Sequence, residues 1–125
     1  MTEPEAGRTA AHYSWDSIEP DHPMEKATRR LVKGDNAMVA RFVLDEGLDV
    51  KPHVHHNEQI TIVLEGRLLA RIGTIGSDEI REQVLGPGEV IAFPPFAPHG
   101  FRALERVVAF DVFSPPSDKT GIDQG

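Results

Sequence analysis

The sequence predicts an all-β fold, a sandwich or barrel, from three observations. No stretch keeps the apolar period of a helix over a window long enough to define one. Roughly eight short alternating segments follow one another, punctuated by Gly, Pro, Asn and Asp turn signals. One of them, Gln59 to Leu64, is largely apolar on both faces, which implies a second sheet or a partner subunit over it.

In chain order, residues 1–25 are polar and carry Pro4, Pro20 and Pro23. They read as an N-terminal arm, partly disordered or docked through Tyr13, Trp15 and Ile18 on the barrel or a partner. Residues 26–114 form the barrel. Ala27 to Lys33 is the first strand, and Gly34-Asp35-Asn36 turns the chain. Met38 to Leu44 alternates, with Met38, Ala40, Phe42 and Leu44 on one face and Val39, Arg41 and Val43 on the other. After Gln59 to Leu64 comes a hairpin return, Arg67 to Ile72, whose Arg67 and Arg71 read as solvated charges. Ile80 to Leu85, Glu89 to Phe93 and Arg106 to Phe113 are further strands, with Gly86-Pro87-Gly88 and Pro94-Pro95 as forced breaks. Residues 115–125 read as a fraying tail.

A chain of 125 residues fits one domain. Its net charge of −7 argues against a nucleic acid or an anionic membrane as partner, since both need a basic footprint. With no cysteine, there is neither a disulfide framework nor a thiolate site, so any metal is held by nitrogen and oxygen. The first thirty residues lack a continuous apolar run, so the expected location is the cytoplasm.

The chemistry concentrates in His53-Val54-His55-His56-Asn57-Glu58-Gln59. On an extended chain His53 and His55 point to the same side, with α-carbons roughly 7 Å apart, within reach of one ion. Gln59 keeps the parity of His55 if the strand stays regular, whereas Glu58 faces away unless a kink exchanges the two. A third imidazole must come from elsewhere, and His99 between Pro98 and Gly100 is the candidate. His12 and His22 stand alone and read as surface residues.

These motifs resemble those of single-domain cupins, a jelly-roll β-barrel family. Gly47, His53, His55, Gln59 and Gly66 fit the first cupin motif, with Gln in place of Glu. Gly88, Pro94 and His99 fit the second, with Phe96 where Gly is usual and Ala103 where Asn is usual. The resemblance implies that His53, His55, Gln59 and His99 are ligands to one divalent transition metal ion. Such a donor set suits Fe, Ni, Zn or Cu better than Mg or Ca. A neutral Gln leaves the centre near +2 and favours an anionic small-molecule substrate.

The pair Glu58-Gln59 and the run Asp111-Val112-Phe113-Ser114-Pro115 are similar to the cupin subgroup that includes uronate ring-opening proteins. That similarity implies that Asp111 and Phe113 point inward beside the metal, Asp111 as a catalytic acid/base and Phe113 against substrate. By the residues alone, Asp111 could equally sit at a strand end and accept backbone hydrogen bonds. The subgroup's following arginine is absent, since Pro116 and Ser117 stand there. Arg41 is then the candidate substrate-binding cation inside the barrel, or else a surface residue.

Three functions follow as expectations: a metal-assisted proton-transfer enzyme (isomerase or ring-opening), an Fe(II) or Cu(II) dioxygenase, or a non-catalytic binding module. A homodimer is expected, by analogy with related cupins and from the two-faced apolar strand.

Overall fold

Residues 3–117 are described by a computed structural model of the chain. The expected tail, residues 115–125, lies mostly outside the described residues. Among the described residues, nine strands and one short 3₁₀ turn make up the regular structure: Trp15–Ser17, then β1 (Ala27–Lys33), β2 (Met38–Leu44), β3 (Asp49–His53), β4 (Glu58–Glu65), β5 (Leu68–Gly73), β6 (Ile80–Leu85), β7 (Val90–Phe93), β8 (His99–Ala103) and β9 (Val107–Ser114). They form a five-stranded sheet, β1-β2-β9-β4-β7, facing a four-stranded sheet, β3-β8-β5-β6, with every pairing antiparallel. This is the jelly-roll arrangement of an all-β barrel.

The alternation of β2 shows how the sequence chooses the inside. Met38, Ala40, Phe42 and Leu44 are buried, while Val39, Arg41 and Val43 are only half-buried. In β4, Gln59, Thr61 and Val63 face inward. The core closes on Phe42, Leu48, Val50, Leu68, Phe101, Val107 and Phe113, drawn from both sheets. The second sheet thus covers the inner face of β4, while Ile60 and Ile62 on the outer face stay half-buried and Leu64 stays exposed.

One strand is not among those expected. His99–Ala103, which follows Pro98, is β8 and pairs with both β3 and β5. Gly100 makes the pairing with β3 close: a Cβ there would stand 2.5 Å from the Val50 carbonyl oxygen. Its bare backbone lets β3 approach, and the register sets His53 opposite His99.

Arg71 is corrected too. It is not a solvated charge: its side chain is 15% exposed, and Nη1 donates to Asp49 Oδ1 at 2.5 Å and to the Val50 carbonyl at 3.2 Å. It thereby ties β5 to β3 across β8. Arg71, and after it Lys51, hold the Asp49 carboxyl below its usual range. Because Asp49 is a third exposed, solvent screens the pair. Arg71→Met is therefore expected to cost about 1 kcal/mol at pH 7 in urea unfolding. The lowered Asp49 contributes stability above its unfolded value of 3.8 that is lost as pH falls. The difference between variant and wild type should accordingly shrink in acid.

The arm lies along the outer face of the five-stranded sheet. Trp15 stacks on Phe110 of β9 with ring centroids 5.5 Å apart, and Arg30 Nε donates to the Ile18 carbonyl at 3.2 Å. The buried Arg29 guanidinium holds Asp21 through bonds of 2.9 and 2.7 Å. No helix among the described residues is long and apolar enough to cross a membrane.

Candidate metal centre

Three imidazoles converge at one end of the barrel. His53 ends β3, His55 lies in the irregular segment after it, and His99 begins β8. One ring nitrogen from each lies within 4.8 Å of the others. The strand does not continue from His55 to Gln59 as the parity argument assumed; β3 stops at His53, and the chain crosses to the other sheet before β4 begins. Gln59 nevertheless meets the histidines, because the crossing segment is fixed at both ends. The buried Asn57 donates its side-chain N–H to the Pro115 carbonyl, and Phe96 N–H donates to the His55 carbonyl at 2.9 Å.

Each ring is oriented by a backbone carbonyl at Nδ1: His53 to Lys51 at 3.0 Å, His55 to Asn57 at 3.0 Å and His99 to Ala97 at 2.8 Å. A carbonyl only accepts, so Nδ1 carries the proton in all three, and each Nε2 presents a lone pair. His53 Nε2 is buried without any hydrogen-bond partner. His55 Nε2 and His99 Nε2 each lie 3.1 Å from Gln59 Oε1. Oxygen and nitrogen lone pairs therefore face one another with no proton between them, an arrangement that a cation relieves.

Protonation is a poor alternative. Burial, with smaller contributions from His53 and His55, pulls His99 down to about 4 despite its bond to Ala97, and burial likewise lowers His53. The His99 ring is 1% exposed and stacks on Phe93 at 4.6 Å. Carbonyl-oriented neutral imidazoles plus an amide oxygen are the donor set of a first-row divalent ion. His53, His55, His99 and Gln59 would hold it, so these four expected ligands are brought together.

Glu58 is exposed and turned away, so no kink exchanges it with Gln59. Phe113 is buried, with its ring 6.0 Å from His55. Asp111 also faces inward, opposite Thr61 in register. Thr61 Oγ1 donates to Asp111 Oδ1 at 2.5 Å, and Gln59 Nε2 donates to Thr61 Oγ1 at 3.1 Å. Burial pushes the Asp111 carboxyl up to about 6, opposed by the bonds from Thr61 and Gln59. An interior cavity of about 10 Å³, bordered by Gln59, Thr61, Asp111 and Phe101, has room for about one water.

Arg41 does not join the site. The inner face of β2 belongs to Ala40 and Phe42, which leaves Arg41 half-buried on the outer face, opposite Phe110. Thr61 is the residue sequence reasoning missed, although its shared face with Gln59 was a usable signal. Phe96, where the motif usually has Gly, takes a left-handed φ of 68°, at a strain of about 1–2 kcal/mol.

Solved structures resemble the whole barrel. An RmlC-like cupin from Shewanella frigidimarina matches with TM-score 0.76 and 22% identity, over 87% of this chain and 95% of that one. KdgF from Halomonas sp. matches with TM-score 0.74 and 25% identity, over 86% of this chain and 97% of that one. Oxalate decarboxylase from Lactobacillus farciminis matches with TM-score 0.76 and 17% identity, over 90% of this chain but 35% of that longer one. The sequence itself matches the cupin family over residues 28–123, and with the jelly-roll topology and histidine cluster now in place, this chain belongs to the cupins.

Proposed function

We propose that this cupin is a metal-dependent enzyme that acts on a small carboxylated or sugar-derived substrate by proton transfer, as in isomerisation or ring opening. The observation that carries the reading is Asp111, the one buried carboxyl among the described residues, connected through Thr61 to a metal-ligand candidate. A carboxyl raised to about 6 exchanges protons readily near neutral pH. A divalent ion held by the three histidines and Gln59 would supply Lewis acidity toward carbonyl or carboxylate oxygens.

Support for an anionic substrate comes from the neutrality of all four ligands. Arg41 lies outside, and no arginine follows Ser114-Pro115, so the centre itself is the attracting charge. Similarity to KdgF over nearly the whole of both chains makes unsaturated uronates, then other keto acids, the first compounds to try.

The test is turnover by protein stripped of metal and reloaded separately with Fe(II), Ni(II), Zn(II) or Cu(II). Asp111→Asn, assayed at saturating metal, is expected to lose about 10²–10⁴-fold in kcat while still binding metal and substrate. Unchanged turnover would remove Asp111 from the chemistry. Oxygen consumption confined to the Fe(II) or Cu(II) forms would replace the proposal with a dioxygenase, and binding without turnover across all four metals would leave a binding module.

A further inference from the structure

We propose that Thr61 and Asp111 are positioning residues that decide which end of the Gln59 amide faces the metal. The inference rests on the metal centre of the proposed function but not on the reaction assigned to it.

A glutamine amide has two ends of nearly equal shape. Its oxygen ligates a cation, whereas its N–H₂ end only donates and repels one. A glutamate has no such ambiguity, so a cupin with Gln at this position needs something to choose the end. Three side chains in a row make the choice. Gln59 and Thr61 share the inner face of β4, and Asp111 stands opposite Thr61 on β9. The Thr61 hydroxyl has a single proton, and the 2.5 Å separation from Asp111 Oδ1 is that of a charge-assisted O–H···O bond. Once that proton points at Asp111, Thr61 offers only lone pairs to Gln59. The amide must answer with Nε2, at 3.1 Å, and Oε1 is thereby turned toward His55 and His99.

The carboxylate that a glutamate would place on the metal thus stands behind the ligand, beside Thr61 and the N–H₂ end of Gln59, where it polarises a neutral ligand instead of neutralising the ion. Without the Thr61 hydroxyl the amide loses the acceptor that fixes Nε2, and it can rotate. Its N–H₂ end would then donate to the bare Nε2 atoms of His55 and His99, which stabilises the metal-free site and blocks the fourth ligand position.

Competition titrations with a chromophoric chelator, using Zn(II) and Co(II), test this on wild type, Thr61→Ser, Thr61→Val, Gln59→Glu and the double variant Gln59→Glu/Thr61→Val. Thr61→Val is expected to weaken metal binding about 10–100-fold and to shift the visible Co(II) spectrum, while Thr61→Ser stays within about twofold of wild type. In the Gln59→Glu background the valine should cost nothing further, because a carboxylate has no wrong end. Should the valine variant fail to fold by circular dichroism, Thr61→Ala makes the same comparison.

Wild-type affinity in Thr61→Val, or an equal loss in both backgrounds, would overturn the positioning role and leave the metal centre standing. Absence of metal uptake by wild type would overturn the centre and this inference together. Turnover enters none of these readouts.

Discussion

His53→Ala is expected to abolish tight metal binding and yet leave the metal-free protein at least as stable as wild type. The two effects have one origin. His53 Nε2 is a buried acceptor with no partner, a condition that costs about 1–3 kcal/mol when no ion is present. Truncation removes that cost, and because His53 is only half-buried, little packing is lost with it. Metal affinity should fall by more than the roughly 10–100-fold typical of losing an outer partner. His99→Ala should lose metal as well but also destabilise the apo protein, since its ring is 1% exposed and packed on Phe93. Removing a buried ring of that size from a core costs about 3–5 kcal/mol. Thermal melts with and without added Zn(II) read both effects. Saturating metal at about 1,000 times its Kd adds about 4 kcal/mol to wild type and should add nothing to His53→Ala. A clear loss of apo stability in His53→Ala, or a preserved metal-induced shift, would contradict the assignment of that nitrogen.

Asp111→Asn should stabilise the metal-free barrel above pH 6 and do nothing for it below pH 4. The carboxyl rises from 3.8 in the unfolded chain to about 6 in the fold, chiefly through burial. A raised carboxyl contributes stability that is fully present below its unfolded value and is lost as pH rises through its folded one. The shift corresponds to about 3 kcal/mol, an upper figure at neutral pH. His99 runs the other way. Lowered from 6.5 to about 4, it contributes stability present above 6.5 that disappears as pH falls toward 4. Urea unfolding in chelator across pH 4 to 8 should therefore show Asp111→Asn pulling ahead of wild type between about pH 4 and 6 and keeping that lead above it, because in wild type the opposing titrations of Asp111 and His99 share that window. Parallel profiles for the two proteins would show that the fold does not raise the Asp111 carboxyl.

How much of this was legible before the fold was known depends on which force decided each residue. The strands β1, β2 and β6 were readable to the residue, because alternation bounded by turn signals is a local property. So were His53, His55 and His99, whose spacing relative to glycine and proline is fixed by motif. Gln59 was reached through a premise that fails, a strand continuing from His55, and motif spacing placed it where parity would not have. For Arg41 the alternation was correct, but both faces of β2 are largely apolar, so nothing local says which one meets the second sheet. Arg71 and Thr61 were opaque for a related reason: their partners, Asp49 and Asp111, are distant in sequence and come together only through pairing. The strand β8 was hidden because His-Gly-Phe-Arg-Ala has little intrinsic preference for a sheet and is held there by neighbours on both sides.

Trp15 is the sole tryptophan of the chain, and it sits outside the barrel, half-buried against Phe110. The optical signal most often used to follow unfolding therefore originates in the arm rather than in the core. Its emission tracks whether the arm lies on the sheet, while the far-ultraviolet dichroism of the strands tracks the sandwich itself. The two signals need not coincide: a red shift of fluorescence at low denaturant with the strand dichroism unchanged would register the arm lifting from β9 before the sandwich opens.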